Sequence, residues 1–120
     1  MRLLFVAVTA LALCQAGCKK QTQADAAQPL EQSFKVAEPE VKQAIEAVTT
    51  RLKAGDYTEA ARALEPIISS RPLTDPQKQA VGVALQQFDR AIASNPALDT
   101  KEMYELRKKM FEAVHRGPRF

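Results

Sequence analysis

Apolar residues between positions 34 and 116 recur every three or four positions, which places them on one face of an α-helix. No stretch alternates with a period of two for long enough to predict a strand. The pattern divides into four apolar faces: Val41, Ala44, Ile45, Val48 and Leu52; Tyr57, Ala60, Ala61, Leu64, Ile67 and Ile68; Val81, Ala84, Leu85, Phe88 and Ile92; and Met103, Leu106, Met110 and Val114. The predicted fold is therefore all-α, with four helices arranged as two antiparallel hairpins.

Capping residues, glycine and proline predict where these helices begin and end. In a capping box, the first side chain and the side chain three residues later each accept a bond from the other residue's backbone N–H. The second, third and fourth helices have this spacing at their starts, in the pairs Asp56–Glu59, Thr74–Gln77 and Asp99–Glu102. We expect Gly55 to end the first helix in the left-handed conformation. Pro66 lies within the second helix, where the unbroken apolar phase predicts a bend rather than an end.

The first residues of the chain have a different pattern. Arg2 precedes an apolar run from Leu3 to Leu13, and the small residues Ala16 and Gly17 come directly before Cys18. This order is typical of an export signal with its positive, apolar and cleavage regions. It resembles a bacterial lipoprotein signal peptide. The resemblance implies a signal peptide over residues 1–17, cleavage after Gly17 and attachment of lipid to Cys18.

Two alternatives to lipidation stay open. Gln15 stands where lipoprotein signals usually have a leucine-like residue, so an ordinary cleaved secretory peptide is one alternative. An uncleaved anchor is the other, although the apolar run is short against the ~20 residues that span a bilayer. Lys19 directly after the cysteine favours the outer membrane, facing the periplasm, in an organism that has one. Cys14 and Cys18 are the only cysteines, so the exported domain is expected to lack disulfides and thiolate metal sites.

The segment after the signal is poor in large apolar residues. Residues 18–33 comprise the lipid-bearing cysteine and a stretch rich in Gln, Ala and Asp, which predicts a disordered linker because it buries too little surface. The domain boundaries that follow are a helical domain over residues 34–116 and a C-terminal tail over residues 117–120.

One stretch resembles a known repeat family. KAGDYTEAARALEPIISSRP, from Lys53 to Pro72, contains a Gly-Asp-Tyr turn, then Ala60 and a closing proline. It is similar to the second half of a tetratricopeptide repeat. Val81-Gly82 resembles the start of a following repeat, where the glycine would let a neighbouring helix approach closely. No second Gly-Asp-Tyr follows, so the resemblance implies one degenerate repeat; the alternative is an ordinary turn with a helix cap.

Charge and candidate chemistry argue against catalysis and nucleic-acid binding. The net charge is +3, and it falls to +2 once Arg2 is removed with the signal. The chain has one histidine, His115, and no nucleophile motif or phosphate-binding loop, so we expect no enzymatic activity, no cofactor, no catalytic residue and no metal. Basic residues collect in the last helix and just after it, where they suit the helix dipole: Arg107, Lys108, Lys109, Arg116 and Arg119. A second interpretation is contact with anionic lipid headgroups or lipopolysaccharide phosphate.

These observations favour a membrane-anchored cell-envelope lipoprotein that acts as a small protein-interaction or scaffolding module. Its expected partners are the bilayer, through acylated Cys18, and an unidentified envelope protein; the oligomeric state is open. Grooves between paired helices hold peptides or partner helices, and the expected surface comprises Arg51, Tyr57, Arg62, Gln79, Gln86 and Arg90. The alternative is a helical carrier for a lipid or other apolar ligand, with a cavity among Ile45, Leu64, Phe88 and Met110.

Overall fold

The structure is a computed structural model that describes residues 25–117. Within that range it contains five α-helices and no strands. The elements are α1 (Ala27–Ser33), α2 (Pro39–Lys53), α3 (Tyr57–Ser70), α4 (Asp75–Ser94), a 3-10 turn (Pro96–Leu98) and α5 (Lys101–His115). The prediction of an all-helical fold is confirmed. The proposed signal peptide, the cleavage site at Gly17, Cys18 and residues 118–120 lie outside the described residues.

Helix α1 is the main difference from the sequence prediction. Its residues belong to the segment predicted to be a disordered linker, but Leu30 is fully buried and Ala27 nearly so. Both ends of α1 are bonded to α4: the backbone N–H of Ala26 donates to Gln87 Oε1 (2.9 Å), and Gln77 Nε2 donates to the carbonyl of Ser33 (3.3 Å). A helix this short depends on such tertiary contacts. The disorder prediction is wrong for these residues, and the helical domain begins before Phe34.

The helices close into a ring around one core. The chain forms two hairpins, α2 with α3 and α4 with α5; α3 packs on α5, and α1 packs on both α2 and α4. Contacts between α3 and α4 are few. The largest fully buried side chains come from all five helices and the residue after α1: Phe34, Phe88, Leu30, Ile45, Leu64, Ile68, Met103, Met110, Val48 and Val81. Helix α1 therefore links the two hairpins on the side opposite the contact between α3 and α5.

The structure confirms the predicted turn at Gly55 and the predicted continuation of the helix through Pro66. Gly55 has φ +77°, the left-handed conformation expected where α2 ends. Helix α3 continues through Pro66 as far as Ser70. Thr74 and Gln77 form the predicted capping box, since the N–H of Gln77 donates to Thr74 Oγ1 and the N–H of Thr74 donates to Gln77 Oε1.

The other two predicted capping boxes are absent. Asp56 occupies the N-cap position of α3, but its side chain makes no cap bond and pairs instead with Arg51 (3.2 Å). Helix α5 is capped by Thr100 rather than Asp99, because Thr100 Oγ1 accepts from the N–H of Met103 (3.1 Å). The Asp56 carboxylate is taken by the ion pair with Arg51, whereas α5 begins one residue later than the spacing predicts, so that Thr100 occupies the N-cap position.

The expected role of Gly82 is also wrong. A Cβ atom at this position would have no atom within 4 Å, other than those of its own helix and immediate neighbours. Gly82 therefore does not mark a close approach between helices.

Candidate functional site at the turn between α2 and α3

A pocket opens where the turn between α2 and α3 lies beside the C-terminal half of α4. Its volume is about 250 Å³, and its lining is partly polar and partly apolar. The lining residues are Gly55, Tyr57, Gln87, Arg90, Ala91, Ser94, Asn95 and Leu98. We refer to this feature as the turn pocket.

Local sequence explains one wall of the turn pocket. The left-handed conformation of Gly55 reverses the chain, and the N–H of Asp56 donates to the carbonyl of Arg51 (2.9 Å) across the turn. Tyr57 then begins α3, and its ring lies edge to face against Phe88 with the centroids 6.2 Å apart. Since Phe88 is fully buried in α4, this contact holds the tyrosine ring against that helix.

The opposite wall carries the polar groups. Gln87 Oε1 is occupied by the N–H of Ala26, and Asn95 Oδ1 accepts from the N–H of Ala97 (3.3 Å). Arg90 is exposed and forms no ion pair with any residue in the described range. The pocket therefore offers one available guanidinium group beside an aromatic ring. Such a site can accept a carboxylate or carbonyl group attached to an apolar segment.

The six residues predicted as one partner surface are divided among several places. Tyr57 and Arg90 share the turn pocket, whereas Gln79 and Gln86 line a shallow groove on α4 that also includes Gly82. The guanidinium of Arg51 is engaged by Asp56.

Arg62 is engaged by two carboxylates. It pairs with Glu59 on its own helix and with Glu102 on α5, where its Nε lies 2.6 Å from Oε1. The hydrogen bond to Glu102 raises the pKa of the Arg62 guanidinium above its usual value. This side chain joins α3 to α5, so its role in the structure is to hold two helices together.

Apart from Gly55, which was predicted only as a helix end, the remaining residues of the turn pocket are not among those predicted from the sequence. Gln87, Ala91 and Ser94 follow one another at four- and three-residue spacing, so they form one stripe on α4. The stripe can be found in the sequence, but small and polar residues at helical spacing do not distinguish a pocket from a solvent-facing surface. Asn95 and Leu98 join it only because the chain turns after α4.

The four residues of the proposed carrier cavity are Ile45, Leu64, Phe88 and Met110. All four are buried and belong to one contiguous core cluster. The single histidine, His115, stacks on Phe111 at 4.0 Å, and its Nδ1 lies 2.9 Å from the carbonyl of the same residue. In residues 25–117, no group of three or more His, Cys, Asp or Glu side chains could hold a metal ion.

In the part of the chain that the structure describes, no helix is long and apolar enough to span a bilayer. Comparisons of the chain with protein-family models, with curated proteins and with solved structures found no match.

Proposed function

We propose that this protein is a cell-envelope lipoprotein, anchored through acylated Cys18, whose helical domain binds a partner protein at the turn pocket. One observation carries the proposal: Gln87 both lines the turn pocket and bonds the first residue of the helical domain, Ala26. The anchor and the pocket would therefore lie at the same end of the molecule.

The length of the chain limits how far the pocket can lie from the membrane. Only residues 19–25 separate Cys18 from Ala26. A fully extended chain of that length reaches at most about 29 Å. A partner held in the turn pocket would consequently be close to the bilayer, which suits another envelope protein with a segment near the membrane surface.

The chemistry of the pocket favours a peptide segment as the bound group. Arg90 forms no ion pair within residues 25–117 and can bind a carboxylate, and Tyr57 supplies apolar contact area. The turn that brings them together belongs to the stretch that resembles a tetratricopeptide repeat, and hairpins of that kind use their grooves to hold partner segments. We therefore apply the resemblance to a tetratricopeptide repeat to the hairpin of α2 and α3, and not to α4 and α5.

Membrane fractionation tests the anchor. The intact protein is expected in the membrane fraction, and Cys18→Ser is expected in the soluble fraction because one or more acyl chains provide the attachment. Recovery of Cys18→Ser with the membranes would contradict anchoring through this residue.

Site-directed photo-crosslinking in intact cells tests the pocket. Benzoylphenylalanine in place of Ser94, an exposed residue that lines the turn pocket, is expected to yield a crosslinked envelope protein while Arg90 stays in place. The same residue in place of Glu40, which is exposed at the start of α2, serves as the matched control. A crosslinked product of equal yield at both positions, or none at position 94, would contradict binding at the turn pocket.

Native mass spectrometry separates this proposal from the carrier hypothesis. The intact protein released from membranes is expected at the mass of the acylated chain alone or with a bound polypeptide. A further lipid retained without covalent attachment would favour the carrier hypothesis and contradict ours.

A further inference from the structure

Three basic residues line one depression at the end of the bundle opposite the turn pocket. Arg71 follows α3, Lys78 lies in the first turns of α4, and Arg116 follows α5. Together they line a small depression of about 50 Å³. Its remaining walls are apolar or backbone, formed mainly by Ile68, Leu73 and Ala113. We refer to this feature as the basic pocket.

The cations of the basic pocket have no carboxylate partner among the residues that the structure describes. Within residues 25–117, Arg71, Lys78 and Arg116 form no ion pair, and no acidic residue lines the depression. Two basic residues within α5 do form ion pairs with carboxylates. Arg107 contacts Asp89 (2.8 Å) and Asp99 (3.7 Å), and Lys109 contacts Glu65 (3.0 Å).

One hydrogen bond and one unsatisfied donor are found at the basic pocket. Lys78 Nζ donates to the carbonyl of Arg116 (2.8 Å), which ties the end of α5 to the start of α4. Arg71 Nε is buried and has no acceptor among the described residues. The Nε of Arg107, which does not line the pocket, is also buried without an acceptor among the described residues, so this donor supports a ligand site only together with the cluster of cations.

The fold explains why three cations collect here without carboxylates. Helices α3 and α5 both end at this site, and the partial negative charge of a helix C-terminus favours nearby cations. A helix end carries only a partial charge, so it offsets the repulsion among the three cations incompletely. An anion placed between them would reduce this repulsion.

From this arrangement we propose that the basic pocket binds a phosphate group. The guanidinium groups of Arg71 and Arg116 can each donate two parallel bonds to phosphate oxygens, and Lys78 supplies a third cation. The small volume suits a single terminal phosphate rather than an extended polyanion. Such a group is carried by a soluble phosphate ester and by a phosphomonoester lipid headgroup.

Calorimetric titration of the intact protein with inorganic phosphate, in phosphate-free buffer of low ionic strength, tests the site itself. We expect saturable binding that weakens roughly tenfold in Arg71→Gln and in Arg116→Gln, because each removes a charge-assisted contact. Lys108→Gln is the control, since Lys108 is exposed on α5 and does not line the pocket. Equal affinity in Arg71→Gln, Arg116→Gln and the unsubstituted protein would overturn the proposal.

Vesicle sedimentation distinguishes the two sources of the phosphate group. This arm uses full-length Cys18→Ser, because an acylated chain would insert into any bilayer. A lipid headgroup would be identified by binding to phosphatidylcholine vesicles that contain phosphatidic acid but not to vesicles of phosphatidylcholine alone. The Arg71→Gln variant should then lose this vesicle binding. Binding of inorganic phosphate without vesicle binding would identify a soluble ligand. Absence of both kinds of binding would overturn the site.

Discussion

Tyr57 packs edge to face on Phe88, with ring centroids 6.2 Å apart and ring planes at 87°. The contact joins the first residue of α3 to the middle of α4, two helices that otherwise touch little. It also sets one wall of the turn pocket. The stability of the bundle and the shape of the candidate site thus depend on the same aromatic pair.

A double-mutant cycle should detect this pair. We expect Tyr57→Leu and Phe88→Leu to be coupled by about 0.5–1.5 kcal/mol in the free energy of unfolding, because edge-to-face aromatic pairs contribute that much beyond burial. Urea denaturation of the two single variants, the double variant and the parent protein measures the coupling. Effects that add to within about 0.3 kcal/mol would show that the rings are independent.

Helix α1 should contribute to global stability. Leu30→Ala is expected to lower the free energy of unfolding by about 2–5 kcal/mol, since it removes a fully buried side chain. Gln28→Ala, on the exposed face of the same helix, should change it by no more than about 0.5 kcal/mol. Urea denaturation measures both, and a neutral Leu30→Ala would restore the interpretation of this segment as a disordered linker.

The contrast between α1 and the other helices shows what the sequence can predict. Helices α2 to α5 each repeat their apolar face over several turns, so the period identifies them. Helix α1 buries only Ala27 and Leu30, too few positions to define a period. Its stability comes from contacts with residues distant in the chain, such as the bond between Ala26 and Gln87.

The candidate site shows the same limit. Tyr57 and Arg90 could be selected from the sequence as polar or aromatic residues beside apolar faces. Their proximity to Asn95 depends on how α3 meets α4 and on the turn after α4, and neither is a local property. One of the two ion pairs of Arg62 is equally non-local, since Glu102 lies on α5.

Two substitutions at the start of α5 test which residue caps this helix. Thr100→Ala should lower the free energy of unfolding by about 1 kcal/mol, because the N–H of Met103 loses its acceptor. Asp99→Ala should cost less, since its carboxylate makes only a 3.7 Å contact with Arg107 at an exposed position. Thermal or urea denaturation ranks the two variants; a larger loss for Asp99→Ala would favour the capping box predicted from spacing.

Two glycines should respond to alanine with opposite signs. Gly55→Ala is expected to destabilise the protein by about 1–2 kcal/mol, because an L-residue is strained at φ +77°. Gly82→Ala should stabilise it by about 0.5–1 kcal/mol, since Gly82 lies within α4 and a Cβ there meets open space. Melting temperatures measured side by side test the pair, and a destabilising Gly82→Ala would indicate a packing role for that glycine.

The ion pair between Glu65 and Lys109 should make stability depend on pH. The hydrogen bond from Lys109 Nζ (3.0 Å) lowers the pKa of the Glu65 carboxyl, with a further contribution from the hydroxyl of Ser69. Because the pKa of this carboxyl is lower in the folded state, the pair stabilises the folded protein fully at pH values above the pKa of the unfolded state, which is near 4.5. That stabilisation is lost as the pH falls through the pKa of the folded state.

Lys109→Gln should therefore reduce the free energy of unfolding at pH 7 by less than about 1 kcal/mol, the range for a pair this exposed. The difference from the parent protein should vanish once Glu65 is protonated in both. Urea denaturation across this pH range, together with an NMR titration of the Glu65 carboxyl, measures both effects. The titration midpoint should rise in Lys109→Gln and stay unchanged in Lys108→Gln, the neighbouring control. A difference in stability that persists at the acidic limit would mean that Lys109 acts through packing of its aliphatic chain rather than through its charge.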